Sequence, residues 1–344
     1  MIGLSIAIEL HQGGAEVFVL DRGDSPATWA AAGMLAPQAE NLGDSPLGQL
    51  GFYSRDLWPD WAKKLEKLSG LNIDYQACGI FLPGNQGRSA EGQWWNAQVL
   101  QSQIPGINVQ AGVWFPQEGC VDNRLVFQAL KRACEHLGIP VHRGVTIFGP
   151  GDPQLQTVNT SSGVIAADLF VLAQGSWSGE WLDIPVYPLK GQMLAIQAEI
   201  GQLKTVIFSE STYIVPRLDG RIVVGATQEW AGFAPGNSEP EISTLHRSAI
   251  DLLPWLAGYP VIETWWGFRP TTPDQSPMIG EGPWPHLCLA TGHHRNGILL
   301  APATAYLLSQ QILTGKPEAL LAPFSWKRFV KDGLCQGEGA KGLQ

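Results

Sequence analysis

The first twenty-one residues of the chain constrain its fold more strongly than any later segment. Residues 4–12 have the apolar spacing of a helix, and the Gly13-Gly14 pair that follows is typical of a helix end. Residues 16–20 (EVFVL) then predict a buried strand, which is followed directly by Asp21. Because a helix followed by a buried strand is the repeating unit of parallel α/β sheets, we predict an α/β fold with a Rossmann-like first domain.

The same segment contains half of a dinucleotide-binding fingerprint. Ile2-Gly3 fits the end of a G-x-G-x-x-G loop, and Asp21 lies 18 residues beyond Gly3, near the roughly 20 expected for an acid that binds a ribose. The first strand and the first two glycines of the fingerprint are not in the sequence. An amphipathic helix packed on a strand that ends in a solvated aspartate gives the same pattern, so the spacing leaves both interpretations open.

Composition narrows the class of protein. The 344 residues are enough for two medium domains, and a content of 44% hydrophobic and 15% charged residues excludes a disordered chain and a membrane bundle. A net charge of -9 and a pI near 5.3 argue against binding to nucleic acid or an anionic membrane. The apolar start of the chain lacks a basic flank and is too short to span a bilayer, so we expect no secretion signal, no membrane anchor and a cytoplasmic location.

The cysteines and histidines do not form a metal-binding pattern. The five cysteines are odd in number and include no C-x-x-C pair, which indicates neither a disulfide framework nor a zinc site. His293 and His294 are adjacent and therefore point apart, and the other histidines form no H-x-x-x-H pair. We predict no metal. The sequence also lacks a G-x-S-x-G elbow, a Walker A loop and an H-E-x-x-H motif.

The middle of the chain changes from α/β alternation to a β-rich pattern. Asp122 predicts the N-cap of a helix over residues 123–137, and residues 93–103 predict another helix. Residues 168–173 predict a strand that ends at a glycine turn. From residue 186 to residue 226, successive β runs separated by turns predict an antiparallel sheet with one exposed face, where a second domain would begin.

Four places along the chain are candidates for a ligand site. Residues 30–37 (AAAGMLAP) are small and uncharged, which suits either backbone passing a large flat ligand or a tightly packed loop. Arg269 follows an apolar strand, where it would clamp a carboxylate or pair with a surface acid. Tyr213, on a β run, would reach the same pocket or lie in the core. Residues 291–297 join a strand to a helix N-terminus, where open α/β sheets bind ligands.

Taken together, these segments resemble the flavin-dependent amine oxidases of the D-amino-acid oxidase family, most closely the glycine oxidases of thiamine biosynthesis. The resemblance covers most of the chain, and its specificity comes from several motifs occurring together. The motifs are IGLSIA (2–7), VLDR (19–22), AAAGML (30–35), AQGSWS (173–178), YIVPR (213–217), VVGAT (223–227), GFRP (267–270) and GHHRNGILLAP (292–302).

The resemblance implies two domains assembled from discontinuous segments. A Rossmann-like FAD-binding domain, with its first strand missing, would comprise residues 1–50, 114–185 and 274–325. An α+β substrate domain, dominated by an antiparallel sheet, would be inserted as residues 51–113 and 186–273, and residues 326–344 would form a tail.

The resemblance also implies the residues of the site. Asp21 would hold the ribose of FAD, and Ile147 would touch its adenine. Arg269 would bind the substrate carboxylate, with Tyr213 and Arg295 beside it. The other cofactor-binding residues implied are Met1, Ile2, Gly3, Arg22, Ala27, Thr28, Ala32, Gly33, Met34, Ala173, Gly175, Trp177, His293, His294, Arg295, Asn296, Gly297, Ile298 and Leu299.

The implied reaction is the oxidative deamination of glycine or another small amino acid. A hydride passes from the α-carbon to the flavin, water hydrolyses the imino acid, and oxygen accepts the electrons to give hydrogen peroxide. Positioning by Arg269 would then matter more than a dedicated general base. The resemblance further implies a homo-oligomer, and a thiazole synthase as the partner that receives the product in thiamine biosynthesis.

The sequence departs from the family at two places. Family members have a strand and a complete glycine loop before the equivalent of Met1, so we expect the true start to lie upstream. A form unable to bind FAD, or a flavin-free binding module, is the alternative. His294 stands where the family more often has an aromatic ring. The alternatives for the substrate are therefore sarcosine or D-amino acids, and the alternative acceptor is a quinone.

Overall fold

A computed structural model describes residues 1–84 and 92–331 of the chain. The helices are α1 (Ile2–Gln12), α2 (Ala27–Ala30), α3 (Pro46–Ser69), α4 (Ala97–Gln103), α5 (Asn123–His136), α6 (Glu239–Leu252), α7 (Gly297–Thr314) and α8 (Lys327–Lys331). Short 3-10 helices cover Gly175–Trp177, Pro254–Gly258, His294–Asn296 and Ala319–Phe324. The predicted α/β fold is confirmed.

The strands alternate with these helices at first and then follow one another. They are β1 (Val19–Asp21), β2 (Met34–Leu35), β3 (Ile80–Pro83), β4 (Gln93–Asn96), β5 (Ala111–Phe115), β6 (Gly119–Cys120), β7 (Val141–Arg143), β8 (Ile147–Pro150), β9 (Thr157–Thr160), β10 (Gly163–Ala166), β11 (Phe170–Leu172), β12 (Tyr187–Gln197), β13 (Val206–Phe208), β14 (Tyr213–Pro216), β15 (Arg221–Gly225), β16 (Val261–Thr271), β17 (Met278–Glu281) and β18 (Leu287–Thr291).

Helices α1, α3, α5 and α7 pack together with short parallel strands to form the α/β half of the molecule. β1 pairs in parallel with β7, and β11 pairs in parallel with β18. Fully buried side chains such as Trp58, Leu130 and Leu300 join the four helices in one core. The predicted domain boundary at residue 50 falls inside α3, which is continuous from Pro46 to Ser69 and packs on α5 and α7.

Two strands of this half have an open edge. Among the strands that the structure describes, β1 has β7 as its one neighbour, and β11 has β18 as its one neighbour. Both strands line the same cavity along Val19–Asp21 and Phe170–Leu172. A strand edge without a neighbour carries peptide N–H and C=O groups that are not used in a sheet. One stretch of the cavity is therefore bordered by open strand edges.

An eight-stranded sheet forms the other half, in the order β16-β12-β15-β14-β13-β3-β5-β4. All pairs are antiparallel except β13 with β3. The prediction that one face is exposed was wrong. Leu194 and Val224 belong to a buried cluster that includes residues of α6, whereas Met193 and Val223 belong to one that includes Ala32. Both faces are apolar because the sheet lies between α6 and the α/β half.

The predicted helix over residues 93–103 is a strand followed by a helix. Trp95 in β4 stacks on Trp114 with ring centroids 4.8 Å apart, so packing on β5 keeps the first four residues extended. Asn96 then accepts a hydrogen bond from Val99 N at 3.0 Å and is the N-cap of α4. The predicted cap of α5 by Asp122 is present, with bonds from Arg124 N and Leu125 N.

Two arginines join the halves of the molecule. Arg217, at the end of β14, is 4% exposed and donates hydrogen bonds to Ala32 O at 2.8 Å and Val121 O at 3.1 Å. Arg124 on α5 makes a two-fold ion pair with Glu263 on β16, at 2.7 and 2.9 Å. Bidentate guanidinium contacts fix orientation as well as distance. The sheet is thus tied to the loop of residues 30–34 and to α5.

The described chain continues past the predicted start of the tail. Trp326 and Phe329 are buried in a cluster with Leu155 and Leu289, so residues 326–331 pack on the α/β half. Residues 332–344, which the sequence assigns to a frayed tail and which include Cys335, lie outside the described residues. None of the helices within residues 1–84 and 92–331 combines the length and hydropathy that a bilayer crossing requires.

Candidate active site

A cavity of about 820 Å³ lies between the α/β half and the eight-stranded sheet. It runs from the ends of β1 and α1, past residues 30–34, to β16 and the start of α7. The cavity is large enough for a cofactor together with a small molecule. It joins all four places that the sequence marks as candidates.

The first turn of α1 and the end of β1 form one wall of the cavity. Ile2 and Gly3 line it, and no side chain caps the N-terminus of α1. A Cβ atom at Gly3 would lie 3.2 Å from the Cβ of Ala173, so glycine lets α1 approach the end of β11. Asp21 lines the same wall. Open helical N–H groups near a carboxylate suit a phosphate and a ribose hydroxyl.

Arg22 is fixed at the rim next to Asp21. Its guanidinium pairs with Asp24 and, at 2.7 Å, with Glu180. It also lies 5.1 Å from the ring centroid of Trp177, a cation–π distance. These contacts hold Arg22 and Trp177 side by side along the cavity.

The loop of residues 30–34 forms the middle of the cavity. Gly33 has φ +76, and a Cβ atom there would lie 2.1 Å from the carbonyl oxygen of Val121, so only glycine fits. Asn123 donates hydrogen bonds to the carbonyls of Thr28 (2.7 Å) and Trp29 (3.1 Å) and fixes the preceding turn. The small side chains and backbone of this loop line the cavity.

Arg269 lines the opposite end of the cavity, on β16. Its Nη1 atom donates hydrogen bonds to Thr227 O at 3.0 Å and Lys190 O at 3.4 Å. The guanidinium lies across Gly191, where a Cβ atom would be 2.4 Å from Nη1. Because a guanidinium has five N–H donors, these two contacts leave donors for an anion in the cavity.

Tyr213 lies beside Arg269. Its hydroxyl donates a hydrogen bond to Met193 Sδ at 3.2 Å, and its ring covers Gly225, where a Cβ atom would lie 2.6 Å from the ring. Burial raises the pKa of the Tyr213 hydroxyl above its usual value, although Arg269 lowers it in part. The phenol therefore stays protonated and can donate to a ligand.

Arg295 and Glu40 face each other at the same end. Arg295 Nε is 4.0 Å from Glu40 Oε2, and the Glu40 side chain is only 7% exposed. Burial raises the pKa of Glu40 to about 7, even though Arg295 and Arg269 lower it. A buried carboxyl between two guanidinium groups is thus poised to change protonation near neutral pH.

The two adjacent histidines are buried and neutral. His293 Nε2 lies 3.2 Å from Thr304 Oγ1, and burial lowers the pKa of His293 to about 3. Burial, together with Arg295 and Arg269, lowers the pKa of His294 to about 3 as well. His294 lines the cavity, yet neither of its ring nitrogens has a hydrogen-bond partner. Such orphaned nitrogens are expected where a ligand supplies the partner.

Most of the residues singled out from the sequence come together around this cavity. The residues that line it are Met1, Ile2, Gly3, Asp21, Arg22, Ala27, Thr28, Ala32, Gly33, Met34, Ile147, Ala173, Gly175, Trp177, Tyr213, Arg269, His293, His294, Arg295, Gly297 and Ile298.

Two of the singled-out residues do not line the cavity. Asn296 is buried at the N-cap of α7. Leu299 packs in the helical core, and its carbonyl accepts hydrogen bonds from Ser54 at 2.6 Å and Trp58 at 3.0 Å. Both residues belong to a helix start in which successive side chains point in different directions, so only some of the motif faces the ligand.

Sequence reasoning missed several cavity residues. Glu40, Met193 and Phe208 line the cavity and were not singled out. Glu40 follows Met34 by six residues, and an acid placed just after an uncharged glycine-containing run was a signal for it. No group of three or more histidine, cysteine or carboxylate side chains suited to a metal occurs within the described ranges.

Known proteins match this chain along nearly its whole length. Residues 1–311 match the family model described as FAD-dependent oxidoreductase. The bifunctional protein ThiO/ThiG of Trichormus variabilis is 43% identical over 353 residues, which cover 96% of this chain and 54% of that protein. The chain therefore spans about half the length of this relative.

Single-function relatives match over their whole length. The glycine oxidase of Pseudomonas aeruginosa is 30% identical, with 94% of this chain and 96% of that protein covered. The crystal structure of glycine oxidase from Geobacillus kaustophilus superposes with a TM-score of 0.88 at 30% identity, and covers 95% of this chain and 96% of that one. Similarity at this level extends through both halves of the fold.

Proposed function

The chain belongs to the FAD-dependent oxidoreductase family, and on this premise we propose that it oxidises glycine or another small amino acid at the bond between the α-carbon and nitrogen. The products are an imino acid, which water hydrolyses to the 2-oxo acid and ammonia, and hydrogen peroxide from oxygen. The observation that carries the proposal is the arrangement at the end of the cavity, where Arg269 and Tyr213 face Arg295. The names of the similar glycine oxidases support the same choice.

The residues along the cavity fit FAD. The open N-terminus of α1 suits the pyrophosphate, Asp21 suits the ribose, and Ile147 offers an apolar contact for adenine. The loop around Gly33 and the orphaned nitrogens of His294 suit the flavin ring and its polar edge. FAD would supply the acceptor for the hydride and pass the electrons to oxygen.

Arg269 is the residue that we assign to the substrate carboxylate. Its guanidinium is held by two backbone carbonyls over Gly191, so it is already oriented before a ligand arrives. Holding the carboxylate fixes the adjacent α-carbon, which is the atom that loses the hydride. The protonated hydroxyl of Tyr213 would turn from Met193 Sδ and donate a second hydrogen bond to the carboxylate.

Apolar side chains near Arg269 limit both water and substrate size. Met34, Met193 and Phe208 line the cavity near the proposed substrate position. Excluding water strengthens the attraction between the carboxylate and Arg269, because the local dielectric constant falls. We therefore propose a small substrate without a long side chain.

We also propose a pathway, a partner, an oligomeric state and a location for this protein. The fused ThiO/ThiG relatives suggest that a thiazole synthase receives the imino acid in thiamine biosynthesis. A homo-oligomer is part of the same proposal. The free thiols of Cys78, Cys120, Cys134 and Cys288 support a cytoplasmic location.

The proposal is tested with purified protein saturated with FAD. Peroxide release is measured with glycine, sarcosine and D-alanine, and flavin absorbance reports binding of the cofactor. We expect glycine to be oxidised, and we expect Arg269→Met to lose about 2–5 kcal/mol of transition-state binding, measured as kcat/KM. The control is Arg247→Met, an exposed position on α6. Failure to take up FAD, or FAD binding without peroxide release from any of the three amino acids, overturns the proposal. Oxidation of sarcosine or D-alanine but not of glycine overturns the choice of glycine.

A further inference from the structure

Glu40 is the feature of the cavity that the proposed function does not yet use. It lies in the loop between β2 and α3, lines the cavity with Arg269, Tyr213 and Arg295, and is 7% exposed. Carboxylates are rarely buried to this degree unless they are paired or functional. Arg295 Nε lies 4.0 Å from Glu40 Oε2, which is too far for a hydrogen bond, so this contact leaves the carboxylate able to accept one from another group.

Hydrogen bonds to Glu118 fix the loop that carries Glu40. The Glu118 carboxylate accepts hydrogen bonds from Gln38 N and Ala39 N, the latter at 3.2 and 3.3 Å. Glu40 N donates to Ala36 O at 3.0 Å, which closes a turn. A carboxyl on a fixed turn keeps its direction toward the cavity, as a group that acts on a ligand must.

The titratable groups near Glu40 come from four parts of the chain. Arg295 follows β18, Arg269 lies on β16, Tyr213 lies on β14, and Glu118 lies between β5 and β6. His294 is beside Arg295 and is neutral. Two guanidinium groups would repel a substrate ammonium group, and the buried carboxylate of Glu40, which both of them influence, offsets this repulsion. An amino acid whose carboxylate binds Arg269 carries its nitrogen on the next carbon, inside the cavity that Glu40 also lines.

We propose that Glu40 receives the amino group of the substrate and accepts a proton from its ammonium form. This inference rests on the proposed function. One N–H bond of the ammonium group breaks, its proton binds a carboxylate oxygen of Glu40, and the electron pair stays on nitrogen. The neutral amine would then give the hydride of its α-carbon to FAD as the oxidant, and the nitrogen pair would form the C=N bond of the iminium ion. Glu40 ends the step as a neutral carboxylic acid.

Burial supports this assignment. The pKa of Glu40 is raised to about 7, so the carboxylate is a stronger base than an exposed glutamate. Below this pKa the group is already protonated and cannot take the proton. The rate of flavin reduction at low glycine concentration should therefore fall as the pH decreases through about 7.

The test uses the FAD-loaded protein and the variant Glu40→Gln, which keeps shape and removes the charge. The rate of flavin reduction by glycine and the glycine Kd are measured by anaerobic stopped flow from pH 6 to pH 10. Removing a general base typically costs a factor of about 10²–10⁴. We expect a loss of about 10² at pH 7, and recovery of the variant at high pH because the amine is then free in solution.

A second measurement separates this role from structural damage. Acetate has the carboxylate of glycine but no amino group, and calorimetry gives its Kd for the oxidised protein. In Glu40→Gln, glycine should bind more weakly, whereas acetate should bind more tightly because a negative charge is removed. A damaged site would weaken both ligands. The matched control is Glu199→Gln, since Glu199 is exposed and does not line the cavity, and it should change neither Kd.

Two results separate failure of this inference from failure of the proposed function. If wild-type protein shows no flavin reduction with glycine, sarcosine or D-alanine, both are overturned. If wild-type protein is reduced but Glu40→Gln keeps the glycine Kd and the pH profile of wild type, only the role of Glu40 is overturned. A lower glycine Kd in Glu40→Gln than in wild type would also overturn this role, and would identify Glu40 as a counter-ion of Arg295.

Discussion

Arg217 and Ala32 are joined by a hydrogen bond of 2.8 Å that connects the eight-stranded sheet to the cavity loop. The same guanidinium contacts Asn123 at 2.9 Å and lies 3.6 Å from Asp122, whose side chain is 2% exposed. A buried cation with an anion and three acceptors is costly to remove, because its partners would be left unsatisfied. This contact therefore couples the stability of the fold to the shape of the site.

Arg217→Lys should destabilise the protein although the charge is kept. Lysine cannot reach Ala32 O, Val121 O and Asn123 Oδ1 together, and each buried acceptor left without a donor costs about 1–3 kcal/mol. We expect a loss of about 2–4 kcal/mol in the free energy of unfolding by urea denaturation. Arg247→Lys on the surface of α6 is the control. A change below about 0.5 kcal/mol would contradict the anchoring role of Arg217.

Gly191→Ala should impair substrate binding while it leaves the fold intact. The new Cβ atom would lie 2.4–2.7 Å from the guanidinium of Arg269, and that flexible side chain can move away at little cost. We expect a rise of about tenfold or more in KM for glycine, equal to about 1.4 kcal/mol, with little change in Tm. Gly258→Ala is the control, because a Cβ atom there meets no neighbour. An unchanged KM would show that Arg269 does not hold the substrate.

His294→Phe should stabilise the protein without FAD and weaken the binding of a ligand. Both ring nitrogens of His294 are buried without a partner, and removing them relieves a penalty of about 1–3 kcal/mol. Tm of the apoprotein and the Kd for FAD are the measurements. His246→Phe is the matched control, since His246 Nε2 is also buried and unpaired but does not line the cavity. Equal FAD affinities in the two variants would contradict a ligand contact by His294.

Glu118→Gln should remove part of the decrease in stability with rising pH. Burial raises the pKa of Glu118 from 4.5 to about 8, so its stabilising effect is complete below pH 4.5 and is lost as the pH rises through about 8. Between these values, wild type should lose up to about 1.4 kcal/mol per pH unit relative to the variant. Urea midpoints from pH 5 to pH 8 measure the difference. If the stability of the two proteins changes with pH to the same extent, burial does not raise the pKa of Glu118.

Local sequence patterns were enough for the elements and for the order of the candidate segments. The strand Leu287–Thr291 and the helix from Gly297 were predicted closely because apolar periodicity and glycines mark their ends. The burial of both faces of β12 was not predictable in the same way. It depends on α6 packing on a sheet formed by distant strands, which no local pattern reports.

Prediction of the site from local sequence patterns has the same limit. Arg269 was selected because a strand end and an arginine are visible in the sequence. The position of Glu40 instead depends on the hydrogen bonds that the preceding Gln38 N and Ala39 N donate to Glu118, which is distant in the chain. Leu299 was selected from a motif, yet the helical backbone directs it into the core. Residue identity predicted the chemistry of the site, but long-range contacts decide which side chains take part.

The arginine ties between the sheet and the α/β half bear on how molecules enter. A hinge motion that parted the halves would break the Arg217 contacts and the two-fold Arg124–Glu263 pair together. Large-scale opening of this kind is therefore disfavoured during turnover. We infer that entry and release take place where exposed residues border the cavity, at Glu210, Ser211 and Gln228. Exchange of substrate and product would then require no separation of the two halves.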